Sequence, residues 1–375
     1  MSFYSLPKKY ARKLVIHNGL NIERKYVRDI MSKNGISNHE IEGECLFLDK
    51  WNKLSIKTSP VFYRCFSKYI GMNPNILPGD ICKSIIEPIM NPVRYRDYYE
   101  DKNVFGKLYP KDWMPKTFLR RMNGIFMDED YNIVSVTKDN VLESLVGVDK
   151  FILKPSVDSC SGRGVSLFHK EKDSFFDQNG SVFSFDFLVS KYGNDFIIQA
   201  CVEQSDYLAK FNPSSINTIR LTVYRSVKDD KLHVTNGIIR IGATESVVDN
   251  AHLGGKFCGV NLDGHLNKYV CETYGEISET FNGINFKESN FVIPVFDKVK
   301  EFAINIAREI PHHRIIALDI ALDKDNSPKL IEYNIGGYGY WLFQMSGQVA
   351  LQGFTDEIIE YCSQIKDYKL TSINL

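Results

Sequence analysis

Two acids and an amide, Asp319, Glu332 and Asn334, sit near the end of the chain in otherwise apolar runs, Ile315-Ile-Ala-Leu-Asp-Ile-Ala-Leu322 and Lys329-Leu-Ile-Glu-Tyr-Asn334. Between the runs lies Asp323-Lys-Asp-Asn-Ser-Pro328, a dense turn signal. A hairpin folded symmetrically about that turn places Asp319 opposite Glu332, and Asn334, two residues on, points to the same face. Like charges directly opposed across a ladder repel, so the pattern predicts a cation between them. Hard oxygen ligands in small number suit Mg²⁺, which keeps waters and takes phosphate oxygens for the rest of its shell. The alternative is a solvated face of an open sheet. The consecutive apolar neighbours of each acid favour the metal. A one-residue slip of register would undo the geometry.

A second group lies upstream, in Lys154-Pro-Ser-Val-Asp-Ser159-Cys-Ser161-Gly162-Arg163-Gly164-Val165. A strand ends in a lysine, a Gly/Ser loop follows, and a strand resumes. Glycines let backbone N–H groups approach phosphate oxygens, and the lysine adds a point charge. No Gly-Lys-Ser/Thr precedes a helix and no GxGxxG opens one, so neither a Walker A loop nor a dinucleotide fingerprint is present. By itself the segment reads better as a flexible β-hairpin turn.

The elements that must position these groups are α+β. Residues from about Lys8 to Arg96 show helical periodicity punctuated by Pro60, Pro74, Pro78, Pro88 and Pro92. From about Tyr98 short apolar runs bounded by turns take over. Strands are predicted at Phe151–Pro155, Val165–Phe168, Phe196–Gln199, Thr218–Tyr224 and Thr235–Ile241, a helix over Phe291–Glu309, the hairpin just described, and a helix from Gly347 to about Ile365. The expected organisation is a helical region 1–97, a part 98–150, a lid subdomain 151–205, and a subdomain 206–375 carrying the metal site. Lys+Arg and Asp+Glu both number 46, and a formally neutral chain without a basic block argues against nucleic acid as partner. The first twenty residues lack the apolar core of a signal peptide, and no apolar run approaches the roughly 20 residues of a membrane span. Eight scattered cysteines without a CxxC pair read as reduced thiols. A cytoplasmic location is expected. Oligomeric state is not legible.

With both groups in view the chain resembles the ATP-grasp superfamily, and most closely its sugar-transfer-associated group, found with capsule and surface-polysaccharide biosynthesis. The motifs run in order from Asp101-Lys102-Asn103 and Pro115-Lys-Thr, through Lys154 and its loop, Ile198-Gln199 with Glu203-Gln204, and Asn212-Pro-Ser-Ser-Ile-Asn217-Thr-Ile-Arg220. Arg240-Ile-Gly, Val248-Asp249-Asn250 with Gly254-Gly255, Asp319 and Glu332-Tyr-Asn334 complete the series. The resemblance implies ATP held between two α+β subdomains. Lys102 and Lys154 would contact its phosphates, and Ser159, Ser161, Gly162, Arg163 and Gly164 would fold over them. Gln199, Cys201, Val202 and Glu203 would form the hinge against adenine, with Asn217 also at the nucleotide. Asp319, Glu332 and Asn334 would hold Mg²⁺, and Arg220 and Arg240 would face the reacting phosphate. The resemblance further implies an ATP-dependent ligase joining a carboxylate, such as a sugar acid, to an amine through an acyl phosphate. A kinase acting on a hydroxyl and a nucleotide-binding scaffold are the other readings. Two departures stand out: the arginine that many ATP-grasp ligases carry two residues before the first metal acid is Ala317, and the usual Pro-Gly after the metal asparagine is Gly336-Gly337. With Ala317 in place, Arg220, Arg240 and Lys256 are the candidates for the catalytic cation. Arg220 and Arg240, set in apolar strands, also admit a structural ion-pair role. His252, beside Asp249-Asn250, reads as structural.

Overall fold

The computed structural model describes residues 8–54, 56–157, 163–243 and 254–365. Two antiparallel sheets carry the fold. The first contains β1 (Thr117–Met122), β2 (Ile125–Met127), β3 (Lys150–Pro155), β4 (Ser166–Glu171), β5 (Ser174–Asp177) and β6 (Phe196–Ala200), in the order β2-β1-β6-β3-β4-β5. The second contains β7 (Thr218–Arg225), β8 (Leu232–Ile241), β9 (Lys256–Val260), β10 (Val270–Cys271) and β11 (Ile277–Ser278). A separate ribbon of β12 (Thr280–Phe281) and β13 (Ile284–Asn285) follows, and then β14 (Ile315–Leu322) and β15 (Pro328–Asn334) close the second sheet, ordered β11-β10-β9-β8-β7-β14-β15. The class is α+β, as the sequence indicates.

The β1–β2 hairpin escapes the sequence reading although its turn is Asn123-Gly124, both at positive φ (47° and 85°), the strongest short-range hairpin signal. Its partner across the sheet is β6, so strands on either side of the expected 150/151 boundary share one sheet. The helix expected over Phe291–Glu309 is Phe296–Arg308. Residues before it are pinned as extended chain by Leu266 N–H to Phe291 O (2.9 Å) and Ile293 N–H to Gly264 O (2.9 Å), and Pro294 precedes the left-handed Val295 at its start. The last helix is shorter than expected, Thr355–Gln364.

Alternation divides the second sheet into two faces. Leu221, Ile239, Cys258 and Leu318 pack against the helix Phe296–Arg308. Tyr224, Ile238, Phe257, Ile315 and Ala317 lie on the other face. They share a single apolar core with the N-terminal helices, among them Val61–Ile70 and Glu44–Trp51, and with the helix Tyr340–Met345. The helical first quarter therefore covers the face that also carries Arg220, Arg240 and Asp319. Its docking is tight at Gly79. A Cβ there would collide with the Tyr340 hydroxyl and stand 2.7 Å from Glu23 Oε2, and these two groups hydrogen-bond each other at 2.8 Å. The glycine is needed for space, and Gly79→Ala is expected to cost roughly 1–3 kcal/mol by overpacking. A urea melt tests this: an unchanged midpoint would show that the helical layer is not clamped at this point.

Candidate active site

A cavity of about 530 Å³ lies between the two sheets. The period of two builds its roof. Phe151 and Leu153 of β3 and Phe168 of β4 face the core of the first sheet, so Lys150, Ile152 and Lys154, together with Val165, Leu167 and His169, face the cavity. The sidewall is the crossing between the lobes, Ala200 to Gln204, stitched to the turn of the β14–β15 hairpin by Ser205 N–H to Leu322 O (2.9 Å) and a bridge between Gln204 and Asp323. Thr218, Arg240, Asp319, Ile331 and Glu332 form the floor. Lys102, Lys154, Arg240, Asp319 and Glu332 form a charged end; Ile152, Leu167, Val202 and Ile216 are the apolar walls beyond it, with Lys150 and His169 past them on the roof. Phosphates would therefore sit at the charged end, with a flat apolar group between the walls beyond it.

At the charged end Asp319 pairs with Glu332 in the ladder. The register then shifts: Ile320 pairs with Leu330, leaving Ile331 as the extra residue of a bulge. The pairs on the turn side are one residue off the symmetric register, and the bulge restores it, so Asp319 faces Glu332 and both Ile331 and Glu332 line the cavity. Asp319 is 1% exposed. Arg220, its partner on β7, donates from Nε to Oδ1 and from Nη2 to Oδ2, both at 2.6 Å, and Arg240 donates from Nη1 to Oδ2 at 2.9 Å. Burial alone raises a carboxyl pKa, but Arg220 and Arg240 overcome it and hold Asp319 below the ordinary carboxylate value. Part of the positive charge that the facing acids call for, expected as Mg²⁺, is thus supplied to Asp319 by the two arginines. Glu332 contacts Lys102 Nζ at 3.4 Å. The Asn334 amide nitrogen is buried without a hydrogen-bond partner.

The motif Asp101-Lys102-Asn103 places Lys102 by splitting the work. Asp101 Oδ1 accepts from Asn103 N–H (2.9 Å), the buried Asn103 side chain ties to Arg121 O (2.9 Å), and Lys102 N–H bonds Ser156 O (3.0 Å). Lys102 is thereby anchored beside the end of β3, where Lys154 emerges. Cys201, Val202 and Glu203 line the cavity, as does Gln199, whose amide donates to Pro115 O at 3.2 Å.

Other expected residues lie elsewhere. Ile241 pairs with Lys256 and Arg240 with Phe257, so Lys256 is on the sheet face opposite Arg240, salt-bridged to Glu272 at 2.9 Å. The expectation of Lys256 as a catalytic cation is corrected by this parity. Asn217 is fully buried and does not line the cavity. Its amide donates to Gln204 Oε1 (3.0 Å), Leu208 O (2.8 Å) and Asn212 O (2.8 Å), which holds the 204–217 loop together. Arg163 and Gly164 are exposed at the start of β4 and do not line the cavity. Ser159, Ser161, Gly162, Asp249, Asn250 and His252 lie outside the described residues. Sequence reasoning missed Ile152, Leu167, Ile216 and Ile331 on the walls. The first two were recoverable from alternation with Lys154 and Phe168; Ile331 depends on the bulge and left no sequence signal. Among the described residues no three His, Cys, Asp or Glu side chains gather as a metal cluster; the oxygen donors at the floor are the Asp319 and Glu332 carboxylates, and Asn334 does not itself line the cavity.

Burial, with the nearby Lys102 charge, pulls the Lys154 ammonium down to about 8, against an ordinary 10.5, with Glu332 opposing. A lowered lysine pKa means that the unfolded chain binds more protons between those values. The residue's contribution to stability is therefore lost as pH falls through about 8 and regained toward 10.5. A phosphate beside Lys154 favours its charged form, so ATP binding near pH 9 is expected to take up close to one proton. Calorimetry in buffers of different ionisation heat measures this. Lys154→Met should remove the uptake and weaken ATP binding while leaving the fold intact. Uptake unchanged in Lys154→Met would separate this lysine from the phosphates.

The sugar-transfer associated ATP-grasp family model matches residues 86–360, well over half of the 375-residue chain. No curated protein matches the chain. Several solved structures are similar in fold. N5-carboxyaminoimidazole ribonucleotide synthetase from Thermotoga maritima is 10% identical with a TM-score of 0.34, covering 67% of this chain and 48% of its own. D-alanine-D-alanine ligase from Coxiella burnetii is 9% identical with a TM-score of 0.38, covering 71% and 59%. D-cycloserine synthetase is 11% identical with a TM-score of 0.38, covering 72% and 73%. The chain thus spans about half the length of the first two.

Proposed function

The chain belongs to the sugar-transfer-associated ATP-grasp family, and from that premise we propose that it is a cytoplasmic ATP-dependent ligase. It would activate a carboxylate as an acyl phosphate and pass it to an amine, with a sugar acid of a surface polysaccharide such as capsule as substrate. The observation that carries the reading is the convergence of Lys102, Lys154, Arg240, Asp319 and Glu332 at one end of a cavity that continues between the apolar walls Ile152, Leu167 and Val202 along the inter-lobe crossing.

In this reading adenine lies at Cys201 and Val202 beneath Ile152 and Leu167. Lys102 and Lys154 neutralise the phosphates, and Arg240 reaches the transferring one. A carboxylate oxygen attacks the γ-phosphorus and ADP leaves. The amine then attacks the acyl carbon, phosphate leaves, and the amine proton passes to solvent. The donor set fits Mg²⁺: the Asp319 and Glu332 carboxylates line the cavity, and Asn334, two residues beyond Glu332 on the same strand face, offers an amide oxygen. Asp319, Glu332 and Asn334 would hold it, and it would supply charge neutralisation on the phosphates. No covalent nucleophile on the protein is required.

The test is a panel of uronic acids and amines scored for phosphate release, with products identified by mass spectrometry. An amide plus phosphate supports the ligase. A stable phosphate ester with no amide would replace it by a kinase, the reading that Ala317 keeps open: this residue lies two positions before Asp319 on the same face and carries no charge. No ATP turnover under any condition would leave a nucleotide-binding scaffold.

A further inference from the structure

The chain after Asn334 runs Ile335-Gly336-Gly337-Tyr338-Gly339, and a cation from a different element lies against each of the three glycines. A Cβ on Gly336 would stand 2.5 Å from Arg96 Nη1 and 3.0 Å from its Cζ. One on Gly337 would stand 3.1 Å from Lys83 Nζ, and one on Gly339 3.5 Å from Arg220 Nη1. Two of these cations are committed. Arg220 grips Asp319 with two donors, and Lys83 bonds both oxygens of Glu87 at 3.2 and 3.0 Å.

Arg96 differs. Its Nε makes only ion contacts, with Glu100 Oε2 at 3.4 Å and Asp97 Oδ1 at 3.9 Å, and no hydrogen bond. Glu100 spends its other oxygen on the loop itself, accepting from Ile335 N–H (2.8 Å) and Gly336 N–H (2.9 Å). The loop is therefore held in place while Arg96 keeps donors in reserve. Gly336 is not at positive φ, so its lack of a side chain serves space: it lets the guanidinium lie against the backbone two residues from Asn334. The departure from Pro-Gly at this position and the presence of Arg96 are complementary.

We propose that Arg96, seated on the Gly336–Gly339 loop, is the residue that binds and orients the carboxylate of the acid substrate. The inference rests on the ligase reading, in which a carboxylate must reach the phosphates, and Arg96 lies on the loop that follows Asn334. A guanidinium offers the paired donors that a carboxylate takes.

The experiment measures KM separately for ATP and for the most active acid of the panel in the wild type, Arg96→Met, Arg96→Lys and Gly336→Ala. Loss of a charge-assisted pair is expected to raise the KM for the acid about tenfold to a hundredfold in Arg96→Met, with a smaller rise in Arg96→Lys and the KM for ATP within about twofold. Gly336→Ala, which pushes the guanidinium aside without removing it, should reproduce the acid defect. An unchanged acid KM in Arg96→Met and Gly336→Ala overturns the assignment, as does an equal rise in both KM values, which marks a structural role. If no acid supports turnover, the ligase reading fails by itself. Binding of glucuronate against glucose to the wild type and Arg96→Met, followed by NMR, then decides: a glucuronate preference lost in the variant supports the subsite, and indistinguishable profiles overturn it.

Discussion

Asp319→Asn is expected to lower turnover roughly a thousandfold, the scale of a lost charge contact worth several kcal/mol in the transition state, and also to destabilise the protein without any ligand. Facing acids considered by themselves predict the opposite sign for stability, because removing one negative charge relieves repulsion. The structure reverses it. Asp319 is buried, and its oxygens take three donors from Arg220 and Arg240. An amide leaves two guanidinium groups short of their counter-charge, and breaking a buried pair from one side costs about 3–5 kcal/mol. Glu332→Gln is the internal control. Glu332 is a quarter exposed and meets Lys102 only at 3.4 Å. It should lose turnover to a similar degree with a urea midpoint near that of the wild type. Phosphate release and urea melts of the two variants decide the matter. Near-normal turnover in both would reduce the pair to a structural feature of the sheet.

The two arginines are expected to separate as well. Arg240 lines the cavity and gives Asp319 one hydrogen bond; Arg220 gives it two and does not line the cavity. In Arg240→Met, kcat should fall about a hundredfold to a thousandfold while ATP affinity changes only a few-fold, the signature of a contact made mainly in the transition state. In Arg220→Met the dominant effect should be lost stability, about 3–5 kcal/mol, because a buried carboxylate loses its bidentate partner. Single-turnover kinetics and urea melts measure both. Equal kinetic defects at equal stability would mean that both arginines face the reacting phosphate.

Much of this site was legible in the sequence because its strongest signals are local. The Asp323–Pro328 turn pointed to the facing acids, but the pairs nearest the turn, such as Leu322 with Pro328 and Ile320 with Leu330, are one residue off the symmetric register, and the bulge at Ile331, which left no sequence signal, restores it at Asp319 and Glu332. Strand runs such as Phe151–Pro155 and Thr218–Tyr224 declared themselves by apolar content. What stayed hidden depends on pairing between segments far apart in the chain. The β7–β14 register puts Arg220 on Asp319, and nothing near either residue announces it. The β8–β9 register sends Lys256 to the far face from Arg240. The covering of the site's own sheet face by the N-terminal helices, and the fit of Gly79 against Tyr340, arise only from tertiary packing. Asn217 sits among motif residues but serves its own loop, a distinction that only its hydrogen bonds reveal.

The most direct test of the account is a crystal structure of the protein with Mg²⁺ and a non-hydrolysable ATP analogue. The account predicts adenine at the Cys201–Glu203 crossing beneath Ile152 and Leu167, phosphates on Lys102 and Lys154, and the ion on Glu332 and Asp319. A nucleotide bound outside this cavity, or one reversed so that its phosphates lie at the end away from Lys154, would contradict it.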